Sequence, residues 1–188
     1  MTASGRPLRI MIITGSTRQA SHTRAAAKYA ANHIIENGNE AMLWDLRRLP
    51  VPIANPEYHK KPSDSPVPVV RSLVTAASRA DGFILATPVY HGSFSGVLKN
   101  ALDNLTIAEF FGKPVGLVSN GPRLTAIQAC DQLRIVVRGL YGLCVPDQVV
   151  TTPENFSAGE NDSPVLADDD VQARIGRMIG VILKLARR

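Results

Sequence analysis

The alternation of apolar and amphipathic segments constrains the fold more than any other feature of the sequence. Apolar runs typical of buried parallel strands recur along the chain, and most are followed by a segment with helical spacing. The predicted strands are 8–14, 40–46, 82–87, 114–119 and 145–152, and the predicted helices are 22–37, 67–80, 95–105, 126–141 and a last one from about 168. Because strand–helix–strand crossovers cover both faces of a sheet, the pattern predicts an α/β fold with a doubly wound, five-stranded parallel sheet.

The length of the chain predicts a single domain. A chain of 188 residues buries one α/β core, whereas two domains would be cramped. We therefore expect one domain over 1–188, with 1–7 and about 157–165 flexible, and a long proline-rich loop over 50–68. No apolar run is long enough for a membrane span, and the first residues lack the apolar segment of a secretory signal. The expected location is the cytoplasm.

Charge and cysteine content narrow the class of ligand. The net charge of +5 would suit an anionic ligand, but the Lys and Arg residues are scattered, so no nucleic-acid partner is expected. Cys130 and Cys144 are too far apart for a C-x-x-C motif and are expected to be buried free thiols. The four histidines lie outside the usual metal-ligand spacings, so no metal site is expected.

The carboxyl ends of the predicted strands locate a candidate ligand site. Ligands of doubly wound sheets bind at that edge, near the switch in strand order. The rule selects three loops, 15–23, 88–96 and 119–125, and all three are rich in Gly, Ser, Thr, Asn or Pro.

The first loop, GSTRQASHT over 15–23, has the composition of a monophosphate site. It lacks the three glycines of a dinucleotide fingerprint and the Gly-Lys-Ser/Thr of a P-loop. Hydroxyl donors and one guanidinium beside a helix N-terminus favour a single terminal phosphate. The candidate ligands are Ser16, Arg18, Ser21 and Thr23. Helix capping alone would explain one serine, but it would not explain four hydroxyls and an arginine within nine positions.

The second loop could receive a flat heteroaromatic ring. Pro88 stiffens the chain after a buried strand, and Gly92 and Gly96 leave room for a ring to approach the backbone. Tyr90 offers an aromatic face, although packing over the sheet end explains it equally well. His91 could be a ligand or a proton donor, but a lone loop histidine is more often solvated.

The pentapeptide GSFSG at 92–96 matches the nucleophile-elbow pattern of hydrolases. In an elbow the serine follows a strand directly, whereas Ser95 lies several residues past the strand and begins a helix. We therefore predict that Ser95 is an N-cap.

Two of these segments together resemble the NADPH-dependent FMN reductase family of flavodoxin-like proteins, which includes flavin, quinone, azo-dye and chromate reductases. The segment 15–21 matches the family's approximate motif G-S-x-R-x-x-S, and 87–105 matches P-x-Y-x-x-S-x-x-G-x-L-K-x-x-x-D. In the second motif the matching residues are Pro88, Tyr90, Ser93, Gly96, Leu98, Lys99 and Asp103. The resemblance extends from about Leu8 to Val150 and weakens over 50–66 and after 153.

The resemblance implies FMN and NADPH as cofactors and assigns site residues. It places the FMN phosphate on Ser16, Arg18, Ser21 and Thr23, with His22 adding a backbone N–H. The flavin ring would lie among residues of the second and third loops: Pro88, Val89, Tyr90, His91, Gly92, Ser119, Asn120 and Gly121. The helix carrying Lys99 and Asp103 contributes to a dimer contact in related proteins, which implies a homodimer or homotetramer.

The implied activity is transfer of hydride from NADPH to FMN, and then to a second acceptor such as free flavin, a quinone, or a nitro or azo compound. Since the cofactor supplies the chemistry, no side chain is expected to be catalytic. Val89 stands where several quinone and chromate reductases carry an acidic residue, so the acceptor stays open. Three alternatives also remain: a flavodoxin-like electron carrier, although such carriers are usually acidic, a sensing or partner-binding protein, and a flavin-dependent biosynthetic step.

Overall fold

A parallel sheet of five strands forms the centre of the molecule, which a computed structural model describes over residues 6–188. The strands are β1 (Arg9–Thr14), β2 (Glu40–Asp45), β3 (Gly82–Tyr90), β5 (Pro114–Asn120) and β6 (Leu143–Thr151), and the two-residue strand β4 (Ser93–Phe94) pairs antiparallel with β3. The order β2-β1-β3-β5-β6 is that of flavodoxin-like sheets. The predicted fold class is confirmed.

Helices cover both faces of the sheet. They are α1 (His22–Glu36), α2 (Pro68–Ser78), α3 (Gly96–Asp103), α4 (Ile107–Phe110), α5 (Ile127–Gly139) and α6 (Asp169–Ala186). Alternate residues of β1 serve the two faces: Ile10 and Ile12 pack under α1 and α6, whereas Met11 and Ile13 pack under α2, α3 and α5. No helix within 6–188 has the length and hydropathy to cross a bilayer.

The largest departure from the predicted elements lies after Thr87. The prediction that the strand ends at 87 and a loop begins at 88 was wrong, because β3 continues to Tyr90 and turns back into β4. The turn residues His91 and Gly92 have φ of 51° and 75°, and positive φ at both positions is typical of a two-residue hairpin. Gly92 therefore serves the turn, and a Cβ added there would lie 3.2 Å from Gln128 Oε1.

The proline-rich segment is a loop, as predicted, but it contains two short 3-10 turns and is held to α3. The turns are Pro56–Tyr58 and Pro62–Asp64. Asn100 on α3 donates from Nδ2 to Val51 O at 3.0 Å and accepts from Ala54 N at 3.0 Å. These bonds fix one end of the loop against the helix.

Of the two segments predicted as flexible, the structure describes only part of the first and all of the second. Residues 1–5 lie outside the described part of the chain, and Arg6 pairs with Asp81 at 2.6 Å. The segment around 157–165 forms an antiparallel hairpin of β7 (Phe156–Ala158) and β8 (Pro164–Leu166). Leu166 is buried against the α1 and α6 side of the core, which ties the hairpin to the sheet.

Candidate functional site

The three predicted loops meet in a cleft of about 230 Å³ at the carboxyl edge of the sheet. Its lining residues are Ser16, Arg18, Ala20, Ser21, His22, Thr23, Pro88, Val89, Tyr90, Asn120, Gly121, Pro122 and Pro153. Most of the predicted site residues are thus brought together. Pro153, which follows β6, was not predicted, because no loop motif marks it.

Three predicted site residues do not line the cleft. His91 and Gly92 form the hairpin turn, where Gly92 O accepts a hydrogen bond from Gln132 Nε2 at 2.9 Å. Ser119 is fully buried, and its hydroxyl lies beside the Cys130 thiol. Burial raises the pKa of Cys130 to about 11, so this thiol stays protonated and gives the site no nucleophile.

In the loop between β1 and α1, the backbone carbonyls of residues 15–19 point toward side chains of the protein. Every backbone carbonyl from 15 to 19 accepts a side-chain hydrogen bond. The distances are 2.8 Å from Ser95 Oγ to Gly15, 2.9 Å from Arg24 Nη2 to Ser16, 2.7 Å from Arg47 Nη1 to Thr17, and 2.8 and 3.0 Å from Arg24 Nη1 to Arg18 and Gln19. The negative ends of these peptide dipoles are therefore neutralised away from the cleft.

The N–H groups of the same loop remain available to a ligand. Gly15 N donates to Ala86 O at 2.8 Å, whereas the N–H groups of 16–23 have no acceptor among residues 6–188. The side chain of Ser21 caps α1 by accepting from Arg24 N at 3.1 Å. A row of N–H donors at a helix N-terminus attracts anions. Arg18, exposed at the rim, adds a positive charge.

A buried ion pair supports this loop from behind. Arg24, in the first turn of α1, binds Asp45 with Nε and Oδ2 2.8 Å apart, and both side chains are about nine-tenths buried. Sequence reasoning missed both residues. A signal was present, since Asp45 ends β2 beside Thr14 of β1, at the edge where the ligand loops were expected.

Gly15 and Ser95 join the first loop to α3. A Cβ at Gly15 would lie 2.5 Å from Ser95 Oγ and 2.7 Å from Leu98 Cβ, so only glycine fits. Ser95 Oγ donates to Gly15 O and accepts from Leu98 N, which confirms the predicted N-cap. Neither partner is a general base, as a nucleophilic serine would require.

The charged form of the His22 imidazole is disfavoured by its surroundings beside the loop. Burial lowers the pKa of His22, and the nearby charge of Arg18 lowers it further. The ring lies against Phe156 of the hairpin, with centroids 4.6 Å apart. His22 can thus offer its backbone N–H at the helix start without adding a second charge.

The opposite wall of the cleft is formed mainly by apolar residues. Tyr90 is 49% exposed and lines the cleft, which favours a ligand contact over packing on the sheet end. Asn120 is fixed by a bond from Nδ2 to Thr151 Oγ1 at 2.9 Å. Gly121 packs closely, since a Cβ there would lie 2.8 Å from Ala126 Cβ and 3.4 Å from Val89 Cβ. Apolar residues beside an exposed aromatic side chain form a surface on which a planar ring can pack.

The fold and the cleft together define a flavodoxin-like protein, in which a loop with available backbone N–H groups faces a wall that includes Tyr90. Residues 8–156 match the sequence profile of the NADPH-dependent FMN reductase family. The chain is 34% identical over 177 residues to the FMN-dependent NADPH-azoreductase of Staphylococcus saprophyticus, covering 94% of each chain. It is 38% identical over 164 residues to the enzyme of that name from Staphylococcus aureus, covering 87% of each.

A solved structure agrees in fold. The flavoenzyme NAD(P)H:(acceptor) oxidoreductase from Paracoccus denitrificans superposes with a TM-score of 0.75 at 16% identity, covering 96% of this chain and 97% of that one. The chain belongs to the NADPH-dependent FMN reductase family. It is an oxidoreductase that uses FMN and NADPH.

Proposed function

We propose that the loop 15–23 binds the FMN phosphate and that the enzyme passes electrons from NADPH to azo compounds. The observation that carries the phosphate assignment is the loop geometry, in which every carbonyl from 15 to 19 is bonded and the N–H groups of 16–23 are available. One phosphate group suits this row of donors, with the hydroxyls of Ser16, Ser21 and Thr23 and the charge of Arg18 around it.

We assign the flavin ring to the wall formed by Pro88, Val89, Tyr90, Asn120 and Gly121. His91, Gly92 and Ser119 support this wall from outside the cleft. When bound, FMN supplies the redox chemistry, taking electrons from NADPH and passing them to a second acceptor. The chain orients the cofactor, and no side-chain acid or base is needed.

The acceptor class rests on the relatives. Both staphylococcal relatives are named FMN-dependent NADPH-azoreductases, and each match covers most of both chains. The site itself is compatible with this acceptor, because Val89 and the half-exposed Tyr90 offer an apolar and aromatic surface beside the ring wall.

The test is anaerobic absorbance spectroscopy of the purified protein with FMN, then with NADPH, then with an azo dye. We expect NADPH to bleach the bound-flavin spectrum, and the azo dye to restore it while losing its own colour. Bound flavin that NADPH leaves oxidised would contradict an NADPH reductase and support the electron-carrier alternative. Flavin that NADPH reduces but that azo dyes do not reoxidise would overturn the acceptor assignment alone.

We also propose a homodimer or homotetramer in the cytoplasm. Val97 on α3 is 40% exposed, and the proline-rich loop that Asn100 holds to α3 presents Ile53 at 84% exposure. Contiguous apolar patches mark protein–protein contacts, and we propose that these two side chains contribute to one. Cys130 and Cys144 are free thiols, which suits a reducing compartment. Light scattering on the purified protein measures the assembly.

A further inference from the structure

We infer that Arg24 is a positioning residue for cofactor binding: its guanidinium, anchored by Asp45, holds the carbonyls of the loop back so that the N–H groups face the phosphate. This inference rests on the proposed phosphate site. Arg24 does not line the cleft, so it would act on FMN only through the loop.

The five N–H donors of the Arg24 guanidinium match the five bonds that it makes. Nε binds Asp45 Oδ2 at 2.8 Å, and Nη2 reaches Asp45 Oδ1 at 3.4 Å. Nη2 also donates to Ser16 O, and Nη1 donates to Arg18 O and Gln19 O, at 2.8 to 3.0 Å. A lysine at 24 would keep the charge, but its ammonium could not reproduce this planar fork.

The orientation of these carbonyls decides which side of each peptide faces a ligand. Peptide N–H and C=O groups point in opposite directions, so a carbonyl held on Arg24 directs the N–H of the next residue away from it. The peptides fixed in this way carry the N–H groups of Thr17, Gln19 and Ala20. If the fork is lost, these peptides can rotate and present carbonyl oxygens to the anion.

The desolvation free energy of the buried ion pair indicates that the pair orients the loop rather than stabilises the fold. Two buried charges gain little net stability over well-packed apolar residues, because desolvation offsets their attraction. Both Arg24 and Asp45 are about nine-tenths buried, so this cost applies here. The ion pair fixes the conformation of the loop before FMN binds, which reduces the entropy lost on binding.

The experiment compares FMN with riboflavin, which has the same ring and no phosphate. Dissociation constants for both are measured by flavin fluorescence quenching on the wild type, Arg24→Lys and a matched control, Arg134→Lys. Arg134 also holds backbone carbonyls, those of Val145 and Pro146, far from the loop. We expect Arg24→Lys to weaken FMN about tenfold or more while riboflavin binding changes little, and the control to match the wild type.

A second variant tests the proposal in case Arg24→Lys does not fold. The double change Arg24→Met with Asp45→Leu replaces the buried pair by apolar side chains, which is often neutral for stability. It too should lose the preference for FMN over riboflavin. An unchanged preference in a folded variant, or equal loss of both flavins, overturns the positioning role. A wild type that does not prefer FMN to riboflavin instead overturns the phosphate site.

Discussion

Gly15→Ala is predicted to damage the joint between the phosphate loop and α3. The added methyl carbon would lie 2.5 Å from Ser95 Oγ, 2.7 Å from Leu98 Cβ and 3.6 Å from Ala86 O. Both shorter distances are below any normal carbon contact. Since Leu98 Cβ is fixed to the helix backbone, rotation of a side chain cannot relieve the overlap, and α3 must move away from β1.

The size of the effect follows from the steric overlap and from one lost hydrogen bond. Overpacking a well-packed buried site costs about 1–3 kcal/mol. Displacing Ser95 also breaks its 2.8 Å bond to Gly15 O, worth about 1 kcal/mol. We therefore expect the free energy of unfolding to fall by about 2–4 kcal/mol. FMN binding should weaken as well, because the same movement shifts the first residues of the loop.

The assay is urea unfolding followed by far-ultraviolet circular dichroism, without FMN. Gly180→Ala is the control, since Gly180 lies on the exposed side of α6 and a Cβ there meets nothing within 4 Å. Alanine in that helix should stabilise the protein by up to about 1 kcal/mol, so the two substitutions should act with opposite sign. A Gly15→Ala protein as stable as the wild type would refute the steric reasoning.

Three further predictions concern residues of the first two loops. Arg18→Ala combined with Ser21→Ala should weaken FMN binding at least about tenfold in a fluorescence titration, and unchanged retention would sink the phosphate assignment. Ser95→Ala should lower the free energy of unfolding by about 1–2 kcal/mol, because the N-cap and the bond to Gly15 O are lost. Turnover with saturating FMN should be unchanged. Lost turnover in a folded, flavin-loaded protein would support the hypothesis that Ser95 is a nucleophile. The pKa of His22 is lower in the folded state than its ordinary 6.5, so the unfolded chain takes up the proton first and stability falls as pH drops below about 6.5. His22→Gln should reduce the difference in the free energy of unfolding between about pH 7.5 and about pH 5.5. An unchanged difference would contradict the lowered pKa of His22.

Hydrophobic periodicity was sufficient to predict the sheet and its main helices. Buried strands such as β1 and β5 are apolar at nearly every position because helices cover both faces, and this signal is local in sequence. The prediction failed where pairing decided the structure. β3 continues through Pro88 to Tyr90 because it pairs with β5 as far as Asn120 and then with β4.

The short helix α4 was missed although its start is written in the sequence. Thr106 and Glu109 form a capping box, with Glu109 Oε2 accepting from Thr106 N at 2.7 Å. The pattern T-x-x-E is a known helix-start signal, but the helix that begins here has only four residues. Such a short helix depends on packing for its stability. Phe110 stacks on Phe83, with the two ring centroids 4.2 Å apart.

The candidate site was predictable at the level of loops but not of their supports. Composition and the strand-end rule were enough to select 15–23 and its neighbours. Three residues shape the loop: Arg24 of α1, Asp45 at the end of β2 and Arg47 in the turn that follows. Their roles depend on contacts between segments that are distant in sequence. Arginines and aspartates near helix and strand ends are usually solvated, so the position of Asp45 at a strand end was a weak signal that did not reveal its partner.

The position of the phosphate in a crystal structure of the FMN complex tests the central claim most directly. We predict phosphate oxygens at about 2.7–3.2 Å from backbone N–H groups within 16–23, with the carbonyls of 15–19 still bonded to Ser95, Arg47 and Arg24. A phosphate bound elsewhere, or a loop whose peptides have rotated to release Arg24, would contradict it.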